Sequence, residues 1–199
     1  MNSFFTQPMP TILPRSFYLD SPEVVARKLL GKLITRDLDG ERLTGRIIEI
    51  EAYLGLSDPA AHSFIGKTAR NAVLFGPPGF SYVYFIYGMH YCLNFSCEPE
   101  GEPGGVLIRA LQPVAGLEVM ARLRGFSDPV KPKLLCSGPG RLCQALGIAL
   151  AENGLDVTRA KSPLRVLDDG FRPASILATP RIGISKAVEM PLRFVMTEN

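Results

Sequence analysis

The segment Arg46-Ile47-Ile48-Glu49-Ile50-Glu51-Ala52-Tyr53-Leu54-Gly55 constrains this chain more than any other. Its alternation predicts a β-strand, with Ile48, Ile50, Ala52 and Leu54 on one face and Glu49, Glu51 and Tyr53 on the other. The apolar face needs a core to cover it. The other face carries two carboxylates and an aromatic ring, one residue pitch apart. A half-buried surface strand with solvated glutamates gives this pattern. So does a carboxylate beside a stacking platform, held on a rigid element as a catalytic site should be. The strand alone does not choose, so the choice falls to the rest of the chain.

The 199 residues suffice for one domain with a substantial core, and 46% of them are hydrophobic. The net charge of +3 permits a polyanionic partner only if the basic groups cluster. No apolar run reaches the length of a membrane span. Met1 to Pro14 lacks the basic start and long apolar middle of a secretory signal, so a cytoplasmic protein is expected, nucleoid-associated if bacterial. Cys92, Cys97, Cys136 and Cys143 form no CxxC pair, and with only His62 and His90 they make no zinc constellation. Free thiols are the expected state.

In chain order, residues 1–15 read as an extended arm and 16–199 as a single domain. Asp20-Ser21-Pro22 predicts a capped helix start, with Val24, Val25, Leu29 and Leu30 as its apolar stripe and Gly31 as its stop. Leu33 to Arg36, the turn Asp37 to Gly40 and the opening strand predict a hairpin. Gly55 to Gly79 is a long loop by composition, and loops of that length are often functional. Phe80 to Ser96 predicts a second hairpin turning at Gly88-Met89, with Tyr87 at its tip. A tip aromatic is poorly placed for its own core and well placed to be pushed into a partner. Arg109 interrupts the apolar strand Val106 to Leu111, and if buried it needs a carboxylate, for which the first strand is the natural source. Helices are expected over Gly116 to Leu123 and from Ser137 to about Leu146, a Pro- and Lys-containing loop over Phe126 to Lys133, and strands over Leu164 to Leu167, Arg181 to Ile184 and Leu192 to Met196.

Together, RIIEIEAYLG from Arg46, AHS from Ala61, YVYFIYGMHYCLN from Tyr82, RALQP from Arg109, CSGPGRLCQALGI from Cys136, RIG from Arg181 and PLRF from Pro191 resemble the alkyladenine (3-methyladenine) DNA glycosylases that lack a helix-hairpin-helix motif. The resemblance spans about Phe17 to Val195. It implies an α/β domain of the α+β type: a curved antiparallel sheet flanked by helices, with a protruding hairpin. It implies a monofunctional enzyme that flips alkylated or deaminated purines out of double-stranded DNA and hydrolyses the N-glycosidic bond. By the same resemblance, Glu51 is the general base, with Arg109 and the carbonyl of Ile182 holding the water. Tyr53, His62 and Tyr84 form the slot for the flipped base, and Asn94 excludes normal guanine. Tyr87 is the intercalating wedge, with Tyr82 and Arg70 also on the DNA side. No metal or organic cofactor is implied, and a monomer needs no partner besides DNA. Two rivals use some of the same residues: a non-catalytic damaged-DNA-binding module, and a hydrolase of small nucleosides or glycosides. A binding module has no use for Glu51, and a nucleoside hydrolase none for a hairpin-tip tyrosine.

Overall fold

The alternating segment is the centre of the sheet in the computed structural model, which describes residues 9–127 and 131–197. Part of the expected arm (1–8) and part of the expected loop (128–130) lie outside the described residues. The strands are β1 (Thr11–Ile12), β2 (Leu33–Leu38), β3 (Glu41–Tyr53), β4 (Ser81–Ile86), β5 (His90–Cys97), β6 (Gly104–Ala115), β7 (Leu164–Asp168), β8 (Ser175–Thr179) and β9 (Arg193–Thr197). The helices are α1 (Pro22–Leu29), α2 (Leu117–Leu123) and α3 (Pro139–Ala145). The strand order is β1-β7-β2-β3-β6-β5-β4, and β9 joins β3 to β8 in a branch off this path. All of these pairings are antiparallel, so this is an α+β fold around one unclosed sheet.

The thirteen residues of β3 serve two neighbours along one edge. Its first half pairs with β2, and Glu49 to Glu51 pair with β9, while β6 runs along the other edge. The expected alternation holds from Glu49 onward and breaks just before it. Ile47 and Ile50 are both fully buried, and Ile48 is only partly so. Ile47 faces Leu111, Glu49 faces Ala110 and Ile50 faces Ile108, so Ile48 is the extra residue of a bulge. Arg109 is the matching extra residue on β6. The two irregularities cancel in register and bring Arg109 beside the carboxylates of β3.

Apolar residues place the helices. Val25, Ala26 and Leu29 of α1 are buried in the core with Ile47, Ile50, Ile108 and Phe194. Val24, expected in that stripe, is 39% exposed. Ser21 makes no side-chain cap bond, and Asp20 instead accepts from Lys28. Helix α3 lies against β5 and β6, and α2 packs on α3.

The β2–β3 turn has Asp39 at φ 50° and Gly40 at φ 82°, the left-handed pair that suits a tight hairpin. The second hairpin differs from expectation. Its turn centres on Tyr87 (φ 53°) and Gly88 (φ 68°), closed by the Met89 amide donating to the Ile86 carbonyl. Tyr87 therefore occupies the left-handed region, which costs a non-glycine residue about 1–2 kcal/mol. Thr11–Ile12, within the expected extended arm, pairs with β7. Arg181 to Ile184, expected as a strand, is a loop, because Arg181 turns its side chain into a buried ion pair. Strand β8 carries three consecutive apolar residues, Ile176 to Ala178, which give no period-2 signal.

Candidate active site

Strand β3 carries Glu51 into the interior, where its side chain has no exposed surface. Three donors converge on it. The Ile182 amide donates to Oε1 at 2.8 Å, and the Tyr53 hydroxyl (2.9 Å) and Arg109 Nη1 (3.1 Å) both donate to Oε2. Arg109 also donates through Nε to Glu49 at 3.0 Å, and Arg193 donates to the same Glu49 oxygen at 2.7 Å. Burial opposes the Arg109 charge, but Glu51 and Glu49 outweigh it and raise its pKa. Burial, and then the charge of Glu51, push the Tyr53 phenol far above its ordinary value, which keeps it a donor.

A buried ion pair anchors this arrangement. Asp58 and Arg181 have fully buried side chains, and Arg181 Nη2 donates to Asp58 Oδ1 at 2.9 Å. Arg181 Nη1 donates to the carbonyl of Ala52 at 3.0 Å. Gly55, which follows β3, must be glycine: its φ is 68°, and a Cβ would sit 1.8 Å from the carbonyl oxygen of Pro103. The chain can thus turn at once from β3 into the loop that bears Asp58.

Beside Glu51 lies a cavity of about 690 Å³, within the usual range for small-ligand sites. Tyr53, His62, Tyr84, Asn94, Arg109 and Ile182 all line it. Glu51 lies one layer back, behind Tyr53, Arg109 and Ile182. The His62 and Tyr84 rings meet edge-on, 4.5 Å between centroids. Part of the His62 ring is open to solvent, but burial of the rest, with the charge of Arg70, lowers its pKa below the ordinary histidine value. Asn94 is buried, and its Nδ2 donates to the Tyr82 carbonyl at 3.0 Å. Four cations, Arg109, Arg124, Arg141 and Lys186, line the cavity, and no Asp or Glu does so among the described residues.

A family model described as methylpurine-DNA glycosylase (MPG) matches residues 16–199. A protein of Koribacter versatilis (strain Ellin345) named "Putative 3-methyladenine DNA glycosylase" is 54% identical over 185 residues, covering 92% of this chain and 89% of its own. Proteins of the same name from Rhodopseudomonas palustris (strain BisB18) and Burkholderia cenocepacia (strain HI2424) are 50% identical over 182 residues and 47% identical over 190. These cover 92% and 95% of this chain, and 86% and 89% of their own. The chain belongs to the methylpurine-DNA glycosylase family. It is a DNA glycosylase, a hydrolase of the N-glycosidic bond, which sets aside the non-catalytic module and the nucleoside hydrolase.

In this glycosylase most residues singled out from the sequence surround one cavity, with three differences of placement. Tyr82, expected on the DNA side, is 2% exposed; it lines the cavity from beneath His62, its hydroxyl 2.9 Å from Nδ1. Ile182, expected to act through its carbonyl, presents its amide to Glu51. Glu51 is shut off rather than open on a strand face. Tyr87 is 77% exposed at the hairpin tip and also lines the cavity. Arg70 is exposed, its guanidinium 5.4 Å from the Tyr84 ring. His90 packs against Gly140, whose added Cβ would lie 2.9 Å from the imidazole. The Asp58–Arg181 pair and Lys186 were not foreseen. Their signal in the sequence was slight: Arg181 opens the RIG motif, Lys186 follows it by three residues, and Asp58 lies between RIIEIEAYLG and AHS. No helix among the described residues is long and apolar enough to cross a membrane.

Proposed function

We propose that this glycosylase flips alkylated or deaminated purines, of the 3-methyladenine, 7-methylguanine, hypoxanthine and ethenoadenine class, out of duplex DNA and hydrolyses the glycosidic bond with a water activated by Glu51. One observation carries this reading: a fully buried carboxylate held by three donors, directly behind a cavity walled by aromatic rings. A base inside a duplex cannot be reached, so it must be extruded at a cost of a few kcal/mol. Tyr87, exposed and held in a left-handed backbone at a hairpin tip, is suited to fill the gap. The flipped purine stacks between Tyr53 on one side and His62 and Tyr84 on the other, each base–aromatic contact contributing about 1–3 kcal/mol. Cationic alkylated purines gain further from the aromatic faces. Asn94 meets the purine edge and disfavours the 2-amino group of guanine, a cost that cationic 7-methylguanine, which carries the same group, offsets by stacking more strongly and leaving more readily.

Cleavage develops positive charge on the sugar, which the Glu51 carboxylate stabilises while taking a proton from the attacking water. Tyr53, Arg109 and Ile182 cover Glu51 in the free protein, so the water reaches it where the Tyr53 hydroxyl yields as the base stacks. Water is the nucleophile throughout, so the enzyme is monofunctional, and it acts as a monomer on DNA.

The test is base release from duplex oligonucleotides carrying one lesion each, by wild type and by Glu51→Gln, with binding to an abasic-site analogue measured alongside. A general base contributes about 10²–10⁴-fold. A loss of that size in Glu51→Gln with binding retained supports the assignment. Release at the wild-type rate by Glu51→Gln removes Glu51 from the chemistry.

A further inference from the structure

We propose that Lys186 holds a DNA phosphate flanking the flipped nucleotide, with the Phe64 ring as the platform under its ammonium group; the inference rests on the base-flipping reading above. The loop that carries Lys186 is fixed at its root. Arg181 is locked onto Asp58, and the amide of Ile182 is bonded to Glu51. Four residues on, Lys186 lines the cavity in an exposed position. The root of the loop thus touches the proposed general base, and its far end forms part of the cavity wall.

Lys186 is also unspent. Arg109, a second cation on the wall, is committed to Glu49 and Glu51. Lys186 makes no ion pair and no hydrogen bond among the described residues. Its Nζ lies over the Phe64 ring, 5.9 Å from the centroid. Phe64 comes from the other cavity loop, two residues after His62, and is 42% exposed. An aromatic face under an ammonium group limits its wandering without neutralising it. The cavity wall carries cations and no acid among the described residues, so it is complementary to an anion.

The ligand follows from the geometry of a flipped nucleotide. Its base fills the cavity, but its strand continues in both directions, so the two phosphates that flank it stay at the mouth. A compact point charge on a flexible stem suits a phosphate oxygen there. Lys186 is accordingly a positioning residue, which brings the sugar to the water without taking part in bond cleavage.

The experiment measures binding of wild type, Lys186→Ala and Lys186→Arg to a lesion duplex containing an abasic-site analogue, across a salt series, with single-turnover base release at saturating enzyme. Lys186→Ala is expected to bind roughly three- to tenfold more weakly and to lower the salt slope by about 0.9, the value for one phosphate. A misplaced sugar meets the water less often, so its saturated release rate should fall as well, and Lys186→Arg should restore both the slope and the rate. Replacing one flanking phosphate by a neutral methylphosphonate should weaken wild type and leave Lys186→Ala unchanged, which identifies the phosphate. An unchanged slope in Lys186→Ala, with normal release by wild type, overturns the assignment and leaves the base-flipping reading standing. Borohydride trapping of abasic DNA that depends on Lys186 also overturns it, since the amine would then attack the sugar. Failure of wild type to bind or release the lesion brings down both readings. Melting temperature serves as the folding control.

Discussion

The guanidinium of Arg181 lies 4.7 Å from the centroid of the Tyr53 ring while its amino groups grip Asp58. One residue later, the Ile182 amide donates to Glu51. A single arginine therefore fixes the aromatic platform and, through the backbone, one donor on the proposed general base. Breaking a buried pair by removing one partner typically costs 3–5 kcal/mol. Asp58→Asn should lower the unfolding free energy by about that much and reduce base release even where the protein is folded. Urea melts with single-turnover assays at a permissive temperature check this. Wild-type release from folded Asp58→Asn would leave the pair a purely structural element.

Acid stability should report the same residue. Burial works to raise the Asp58 pKa, but bonds from Arg181 and from the Ala60 and Leu54 amides outweigh it and hold the carboxyl below its ordinary value. A carboxyl depressed in the folded state adds stability above its unfolded pKa of about 3.9, and that stability is lost as pH falls through the folded value. The wild-type melting temperature should fall steeply below about pH 4, and Asp58→Asn should show a shallower fall from its lower starting point.

His62 should titrate below an ordinary histidine. Burial is the first cause of its lowered pKa and the Arg70 charge the second. An imidazole NMR titration should give a value below the ordinary histidine pKa of about 6.5, and Arg70→Ala should move it upward. A titration above the ordinary value would mean that an anion faces the ring.

Tyr87 separates stability from function. Its left-handed φ of 53° is relieved by glycine, so Tyr87→Gly should be as stable as wild type or up to about 1 kcal/mol more so. Tyr87→Ala should leave the fold intact. Both should bind lesion duplexes weakly and flip poorly, read by the fluorescence of a base analogue at the lesion. Unchanged activity in both would end the wedge assignment.

Asn94→Ser should raise the slow release of normal guanine from undamaged duplex DNA while retaining release of 7-methylguanine. The loss of the bond to the Tyr82 carbonyl is a local cost of about 0.5–1.5 kcal/mol, visible in the melt. No gain in guanine release would take Asn94 out of discrimination.

Much of this was written locally in the chain. The period-2 pattern around Glu51, the Asp39-Gly40 turn, the tip position of Tyr87 and the helices at Pro22 and Pro139 follow from residue-to-residue geometry and turn chemistry. So does the demand that Arg109 find a carboxylate, because a charge inside an apolar strand must be paired. Other features had no local cause. The bulge at Ile48 arises from pairing with β6, and it is what sets Arg109 beside both glutamates. Arg181 leaves strand geometry because Asp58, 123 residues earlier, offers a buried counter-charge. Glu51 is sealed rather than solvated because Ile182, 131 residues later, closes over it. Chain order determined which groups this glycosylase carries and, away from the bulge at Ile48, most of the faces they occupy. Only the tertiary structure decided which of them are buried together, since pairing and desolvation depend on neighbours that are distant in sequence.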